Sequence, residues 1–214
     1  MTAKRPRPER LVGRYISLEP LRDDHLAALF AAIGHPQVFA GGYGGGAAGL
    51  RDTPEGFAAW ARGYLPFEHG IPYAVLLLGG PHDGELVGTT SLADFDDENE
   101  STHIGWTAYA PQVWGTAVNA EAKLLLLGLA FDSGFGRVRI QADAINQRSR
   151  AAIAGIGATF EGVLRRVRRR ADGSWRDTAV YSILTEEWPA VRDGLQQRLE
   201  AQGGRPVLFR GLPD

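Results

Sequence analysis

Residues 112–119, Gln112-Val113-Trp114-Gly115-Thr116-Ala117-Val118-Asn119, stand between a run of strand character, Thr102 to Tyr109, and a nearly continuous helical segment, Asn119 to Ser133. Small residues at 115 and 117 let the backbone approach a diphosphate closely, while the first N–H groups and the positive dipole end of the following helix face the same point. That geometry suits a pyrophosphate. No Gly-Lys-Ser/Thr follows, so the stretch is not a P-loop, and its glycine spacing is not that of the dinucleotide fingerprint. Taken alone, the octapeptide reads equally well as a plain strand-to-helix turn with small residues for packing.

Downstream, the helix is stopped by Gly134 and followed by a strand from Arg137 to Ala142. A strand, a helix and a strand in that order imply a right-handed crossover between parallel strands, with ligand chemistry expected at the top of the unit. Asn146 reads as the N-cap of a short helix carrying Ile153 and Ile156 and stopped at Gly157. Val163 to Arg170 and Trp175 to Leu184 form a predicted hairpin about the two-residue turn Asp172-Gly173, and Glu186 to Ala201 a last helix before a Pro/Gly-rich tail. Upstream, Tyr73 to Leu78 and Glu85 to Leu92 pair as a hairpin, and Thr102 to Tyr109 extends the meander after the acidic loop Asp94 to Glu100. Further upstream come a strand at Tyr15 to Leu21, a helix capped by Asp23, and a helix opened by Thr53-Pro54. The glycine-rich stretch Gly34 to Asp52 between those helices, with Gly41 to Gly46 at its centre, reads as a functional or mobile loop.

Composition narrows the function classes. With 23 Lys and Arg against 25 Asp and Glu the net charge is −2, so any contact with a polyanion needs a local basic patch. Hydrophobic residues at 44% supply a packed core in one folded unit. The chain has no cysteine, which excludes a disulfide framework, a thiol nucleophile and a thiolate metal site, and fits a cytoplasmic setting. The basic, proline-broken residues 1–10 lack the apolar stretch of a signal peptide and read as a loose tail. No run reaches the roughly 18 apolar residues of a membrane helix, because Lys123, Gly128 and Asp132 interrupt the longest candidate.

Gln112-x-x-Gly115-x-Ala117 matches the Gln/Arg-x-x-Gly-x-Gly/Ala signature of the GNAT acetyltransferases. Ile104-Gly105-Trp106, Trp114-Gly115, Asn119-x-Glu121-Ala122 and Asn146-x-x-Ser149-Arg150 resemble the RimJ/RimL branch, whose members acetylate protein N-termini and assorted small amines. The resemblance runs from Tyr15 to Leu184 and implies an α/β fold: a mixed, mostly antiparallel central sheet with a parallel strand pair at the cofactor site, flanked by helices. The acyltransferase domain would span 13–185, between a flexible tail (1–12) and a C-terminal helix and tail (186–214). Acetyl-CoA, or another acyl-CoA, is the implied donor, with no metal. By the same resemblance pantetheine would lie along Trp106, Thr107 and Ala108, bonding their backbone like an added strand. The amides of Val113, Trp114, Gly115, Thr116, Ala117 and Val118 would hold the pyrophosphate beside Gln112 and Asn119, with Asn146 and Arg150 on the opposite wall. From the residues alone, Asn146 is equally a simple cap and Arg150 a solvated helix residue.

Acylation of an amine by a thioester needs a neutral amine, an oxyanion site and a proton for the leaving thiolate. Many family members use a tyrosine for the proton, but the matching position here is Ile153. The RimL-like pattern places Ser149 near the sulfur, though a first-turn serine also serves as a backbone hydrogen-bonding group. His103, preceding Ile104-Gly105, is the candidate base by its ordinary pKa of ~6.5, with Asp94 and Glu100 as fallbacks; packing or surface roles compete for all three. Neutralising a lysine amine at pH 7 costs about 4.6 kcal/mol against roughly 1 kcal/mol for an α-amine, which favours a protein N-terminus or another weakly basic small-molecule amine as acceptor. Arg165, Arg166, Arg168, Arg169 and Arg170 crowd one hairpin arm and read as a contact for an acidic acceptor, for a ribosomal or nucleic-acid surface or for the CoA 3′-phosphate, or as a solvated edge strand. The competing functions are a coenzyme A-binding module without transfer activity and an RNA-associated protein. Membrane and nucleic acid are not the expected partners, whereas a homodimer through the C-terminal helix is admitted.

Overall fold

The computed structural model describes residues 2–211. Eight strands form one sheet: β1 (Leu11–Val12), β2 (Ile16–Pro20), β3 (Gly70–Leu77), β4 (Leu86–Asp96), β5 (Ser101–Tyr109), β6 (Arg137–Asp143), β7 (Thr159–Arg169) and β8 (Trp175–Leu184), in the spatial order β1-β2-β3-β4-β5-β6-β8-β7. Every neighbouring pair is antiparallel except β5 and β6, which run parallel from Ser101↔Arg137 to Ile104↔Ile140. Six α-helices lie among the described residues: α1 (Leu26–Ile33), α2 (Pro36–Ala40), α3 (Pro54–Tyr64), α4 (Ala117–Asp132), α5 (Gln147–Gly155) and α6 (Trp188–Glu200). This is the α/β architecture expected from the sequence.

Each sheet face has its own core. Leu26, Leu29 and Ile33 of α1 and Phe57 and Ala61 of α3 close one face over Ala74 and Ala108. On the other face Val118, Ala122, Leu126 and Ala130 of α4 meet Ile16, Val75 and Ile104. Helix α4 is apolar nearly all round because α6 covers its outer side, Trp188 lying 5.4 Å from the Phe131 ring. One carboxylate is buried in this layer: Glu121 accepts the backbone N–H groups of Arg14 (2.7 Å), Tyr15 (2.7 Å) and Ile16 (2.8 Å), fastening α4 to the start of β2.

The sheet opens where β5 carries one residue too many. Ser91 pairs with Gly105 but Thr89 with Ala108, and Trp106 takes the bulge with φ +49. Beyond Ile104 the β5–β6 pairing ends, so the two parallel strands part above the N-terminus of α4.

Several boundaries differ from expectation. Helix α4 starts two residues before Asn119, capped by Thr116, and α1 starts three residues after Asp23, behind a short 3₁₀ turn. The glycine-rich stretch contains α2 and packs as a tied loop: the Gly44 N–H donates to the Tyr64 hydroxyl (3.2 Å) and the Ala171 N–H to the Gly45 carbonyl (2.9 Å). The β7–β8 turn is a three-residue loop closed by Arg170 N–H to the Ser174 carbonyl (2.8 Å), with Gly173 at φ +83. The N-terminal segment read as a loose tail is docked: Ala3 is buried, the Lys4 N–H donates to the Ser133 carbonyl (3.0 Å), and β1 pairs with β2. No periodicity announces such contacts, since single residues make them. The C-terminal tail returns likewise, with Val207 buried and Phe209 stacked on His82 at 3.8 Å. The outermost positions of both tails, 1 and 212–214, lie outside the described residues.

Candidate functional site

A cavity of about 340 Å³ occupies the opening between β5 and β6. Its upper end is the 114–117 turn. Gly115 holds φ +71, and Thr116 caps α4, accepting from the Val118 N–H (3.4 Å) while donating to the Val113 carbonyl (2.6 Å). The amides of Gly115 and Ala117 donate to nothing among the described residues, so two free N–H groups stand at the positive end of a 16-residue helix. A side chain at 115 would be strained at that φ, and its Cβ would lie 3.1 Å from Arg210 Nη1. The Arg210 guanidinium donates to the Gly115 carbonyl (3.1 Å), and its backbone N–H to the Gln112 carbonyl (2.9 Å).

Of the residues singled out in the sequence, Trp106, Thr107, Ala108, Val113, Trp114, Gly115, Thr116, Ala117, Asn119, Asn146 and Ser149 line this one cavity. Ser149 sits in the first turn of α5, and its hydroxyl makes no hydrogen bond among the described residues. Asn146 has two jobs. Its Oδ1 accepts the Ser149 N–H (2.9 Å) and its Nδ2 donates to the Gly41 carbonyl (2.7 Å), tying the glycine loop to the start of α5. Asn146→Ala therefore removes a cap worth about 1 kcal/mol and releases the loop. The expected result is a melting temperature lower by ~2–4 °C together with faster proteolysis within residues 41–46. An unchanged cleavage rate would show that the loop is held elsewhere.

Val118, Gln112, Arg150 and His103 lie outside the cavity lining, as do the fallback bases Asp94 and Glu100. Val118 is fully buried in the α4 core, and Gln112 presents its carbonyl to Arg210. Arg150 is turned to the Tyr181 hydroxyl (3.3 Å), the Ala144 carbonyl (3.2 Å) and the Phe160 ring. Helical periodicity turns it away from Ser149 and Ala152, the α5 residues that line the cavity. His103 is buried behind Gly105 and paired through Nδ1 with Asp94 (3.1 Å). Burial is the main reason its pKa sits below the ordinary histidine value, with Asp94 opposing the shift, so the ring is neutral at pH 7. Asp94 also takes Arg139 (2.9 Å) and stands 3.5 Å from His69; its hydrogen bond to His103 is the first cause of a lowered carboxylate pKa.

Three charged side chains on the lining were not singled out in the sequence: Lys123, Arg148 and Arg198. Arg148 places its guanidinium carbon 3.4 Å from the centre of the Trp114 ring, and Arg198 of α6 lines the cavity while donating to the Gly155 carbonyl (2.8 Å). Lys123 had a signal, a lone charge beside Leu124-Leu125-Leu126-Leu127, but it registered only as an interruption of an apolar run. No Asp or Glu is on the lining. A cavity with three cations, no carboxylate and free amides at one end is built for an anionic ligand.

The family model described as "Acetyltransferase (GNAT) domain" matches residues 16–159, and the chain belongs to this acetyltransferase family. A relative from Bacillus subtilis (strain 168), "Putative ribosomal N-acetyltransferase YdaF", is 32% identical over 130 residues, covering 60% of this chain and 67% of the relative. The solved structure of a putative acetyltransferase from T. thermophilus is 36% identical with a TM-score of 0.80, covering 92% of this chain and 100% of its own. "Mycobacterium smegmatis RimJ in complex with CoA-disulfide" shares the fold at 24% identity and a TM-score of 0.64, covering 90% of this chain and 91% of its own.

Proposed function

We propose that the protein is an acyl-CoA-dependent N-acetyltransferase of the RimJ/RimL type that passes acetyl from acetyl-CoA directly to a primary amine, on a protein N-terminus or a small molecule, in the cytoplasm. The observation that carries this reading is the cavity: free amides at Gly115 and Ala117, three cations and no carboxylate, in the gap between two parting parallel strands. A relative described as a putative ribosomal N-acetyltransferase supports it, and a neighbour of the same fold was solved in complex with CoA-disulfide. No helix among the described residues is long and apolar enough to cross a membrane.

Acyl-CoA supplies an activated carbonyl when bound. The turn at 114–117 would hold the diphosphate, and Arg148 and Arg198 add positive charge along the same cavity. The backbone of Trp106 to Ala108, freed from β6 by the bulge, would receive the pantetheine arm as an added strand and position the carbonyl. Ser149, across the cavity on α5, offers a hydroxyl toward the sulfur. Tyr43 and Asn146 close the side next to the glycine loop, where an amine would enter. No carboxylate or histidine lines the cavity, which favours acceptors with a weakly basic amine: an α-amine already presents a useful neutral fraction at pH 7.

Calorimetric titration with acetyl-CoA, succinyl-CoA and ATP tests the donor. The expected result is micromolar or tighter binding of acetyl-CoA and none of ATP. Folded protein that ignores every acyl-CoA would overturn the proposal.

A further inference from the structure

Lys123 is 4% exposed, yet it lines the cavity from the second turn of α4. Its one hydrogen bond runs to Thr107 Oγ1 at 3.3 Å. Thr107 in turn shares a 2.8 Å contact with Thr90, which fixes its hydroxyl. No carboxylate pairs with Lys123 among the described residues, although a buried cation is ordinarily paired. The other titratable side chains on the lining are Tyr43, Tyr109, Arg148 and Arg198, and none is an acid that would neutralise it at pH 7. Thr107 follows directly on the Trp106 bulge, the point where β5 leaves β6 and where an acyl group laid along β5 would end. The family's usual tyrosine position, meanwhile, is held by the buried, apolar Ile153.

Resting on the donor assignment above, we propose that Lys123 is the proton source for the leaving thiolate. The amine nitrogen forms the new C–N bond and loses its extra proton to solvent. As the C–S bond breaks, its electron pair stays on sulfur, and the sulfur takes a proton from Lys123 Nζ. The lysine is then reprotonated from water, so the products are the amide and free coenzyme A. Burial lowers the Lys123 ammonium to about 8, close to the ordinary thiol value, so the proton passes without a large barrier in either direction. Arginine at this position would keep the charge but could not give up the proton.

The test needs no acceptor. Coenzyme A is bound to the protein and its thiolate absorbance in the near ultraviolet is followed against pH, for wild type, Lys123→Gln and Lys123→Met. With the ammonium beside the sulfur, the bound thiol of wild type ionises at least about one pH unit lower than in either variant. Calorimetry on the same samples fixes the concentration at which each protein is saturated with coenzyme A, so that ionisation is compared only between fully bound states. Equal thiol ionisation in wild type and a variant that binds coenzyme A overturns the role of Lys123 and leaves the donor assignment standing. Failure of wild type to bind coenzyme A removes both. Once an acceptor is in hand, Lys123→Gln should lower kcat by ~10²–10³ and abolish its alkaline limb near pH 8, with KM little changed. A loss confined to KM would assign the lysine to binding alone.

Discussion

Glu121→Ala is expected to unfold the protein at markedly lower urea, with a loss of about 4 kcal/mol. The carboxylate accepts three consecutive backbone N–H groups, those of Arg14, Tyr15 and Ile16, and is itself 3% exposed. Alanine strands these donors where water reaches poorly, at about 1–3 kcal/mol for each buried one. It also leaves a gap under Gly13, a position at which any Cβ would collide with the carboxylate. Against a typical total of 5–15 kcal/mol this is a large share. Glu121→Gln, which keeps one acceptor oxygen, should lose less. If urea denaturation gave equal midpoints for wild type and Glu121→Ala, the clamp between α4 and β2 would have no energetic role.

Thr116→Asp should weaken acetyl-CoA binding by ~10²-fold while costing the fold only about 1 kcal/mol. Aspartate caps a helix as well as threonine does and the dipole favours a carboxylate there, so α4 keeps its start although the 2.6 Å donation from the Thr116 hydroxyl to the Val113 carbonyl is lost. The same charge would stand about 6 Å from a bound diphosphate, which at an effective dielectric near 20 opposes it by roughly 2.8 kcal/mol, or a hundredfold. Calorimetry together with thermal melting separates the two effects. Unchanged affinity in the folded variant would place the phosphates away from this turn and undo the cavity assignment.

The clearest features of the sequence were local. Thr53 and Asn146 cap their helices as their side-chain chemistry requires, apolar and β-branched runs located the meander, and the Asp172-Gly173 turn located the β7–β8 hairpin. The Gly115 turn was legible because a short run of small residues between a strand and a helix constrains the backbone whatever packs around it. Less legible were elements held by distant contacts. The docking of residues 3–5, the helix α2 inside the glycine loop, and the return of Phe209 and Arg210 to the sheet carry no repeating pattern.

The candidate site divides along the same line. The sequence by itself determined the strand–turn–helix unit and the residues flanking it, because φ preferences, capping and hydrophobic period act between near neighbours. Only the tertiary structure decided which polar side chains line the cavity. It turned Arg150 to Tyr181, hid His103 behind Gly105 against Asp94, and brought Lys123 to Thr107, 16 positions away in the chain, at the point where the bulge parts β5 from β6. Such pairings depend on sheet register and helix rotation, which a single extra residue in β5 resets and which no local periodicity records.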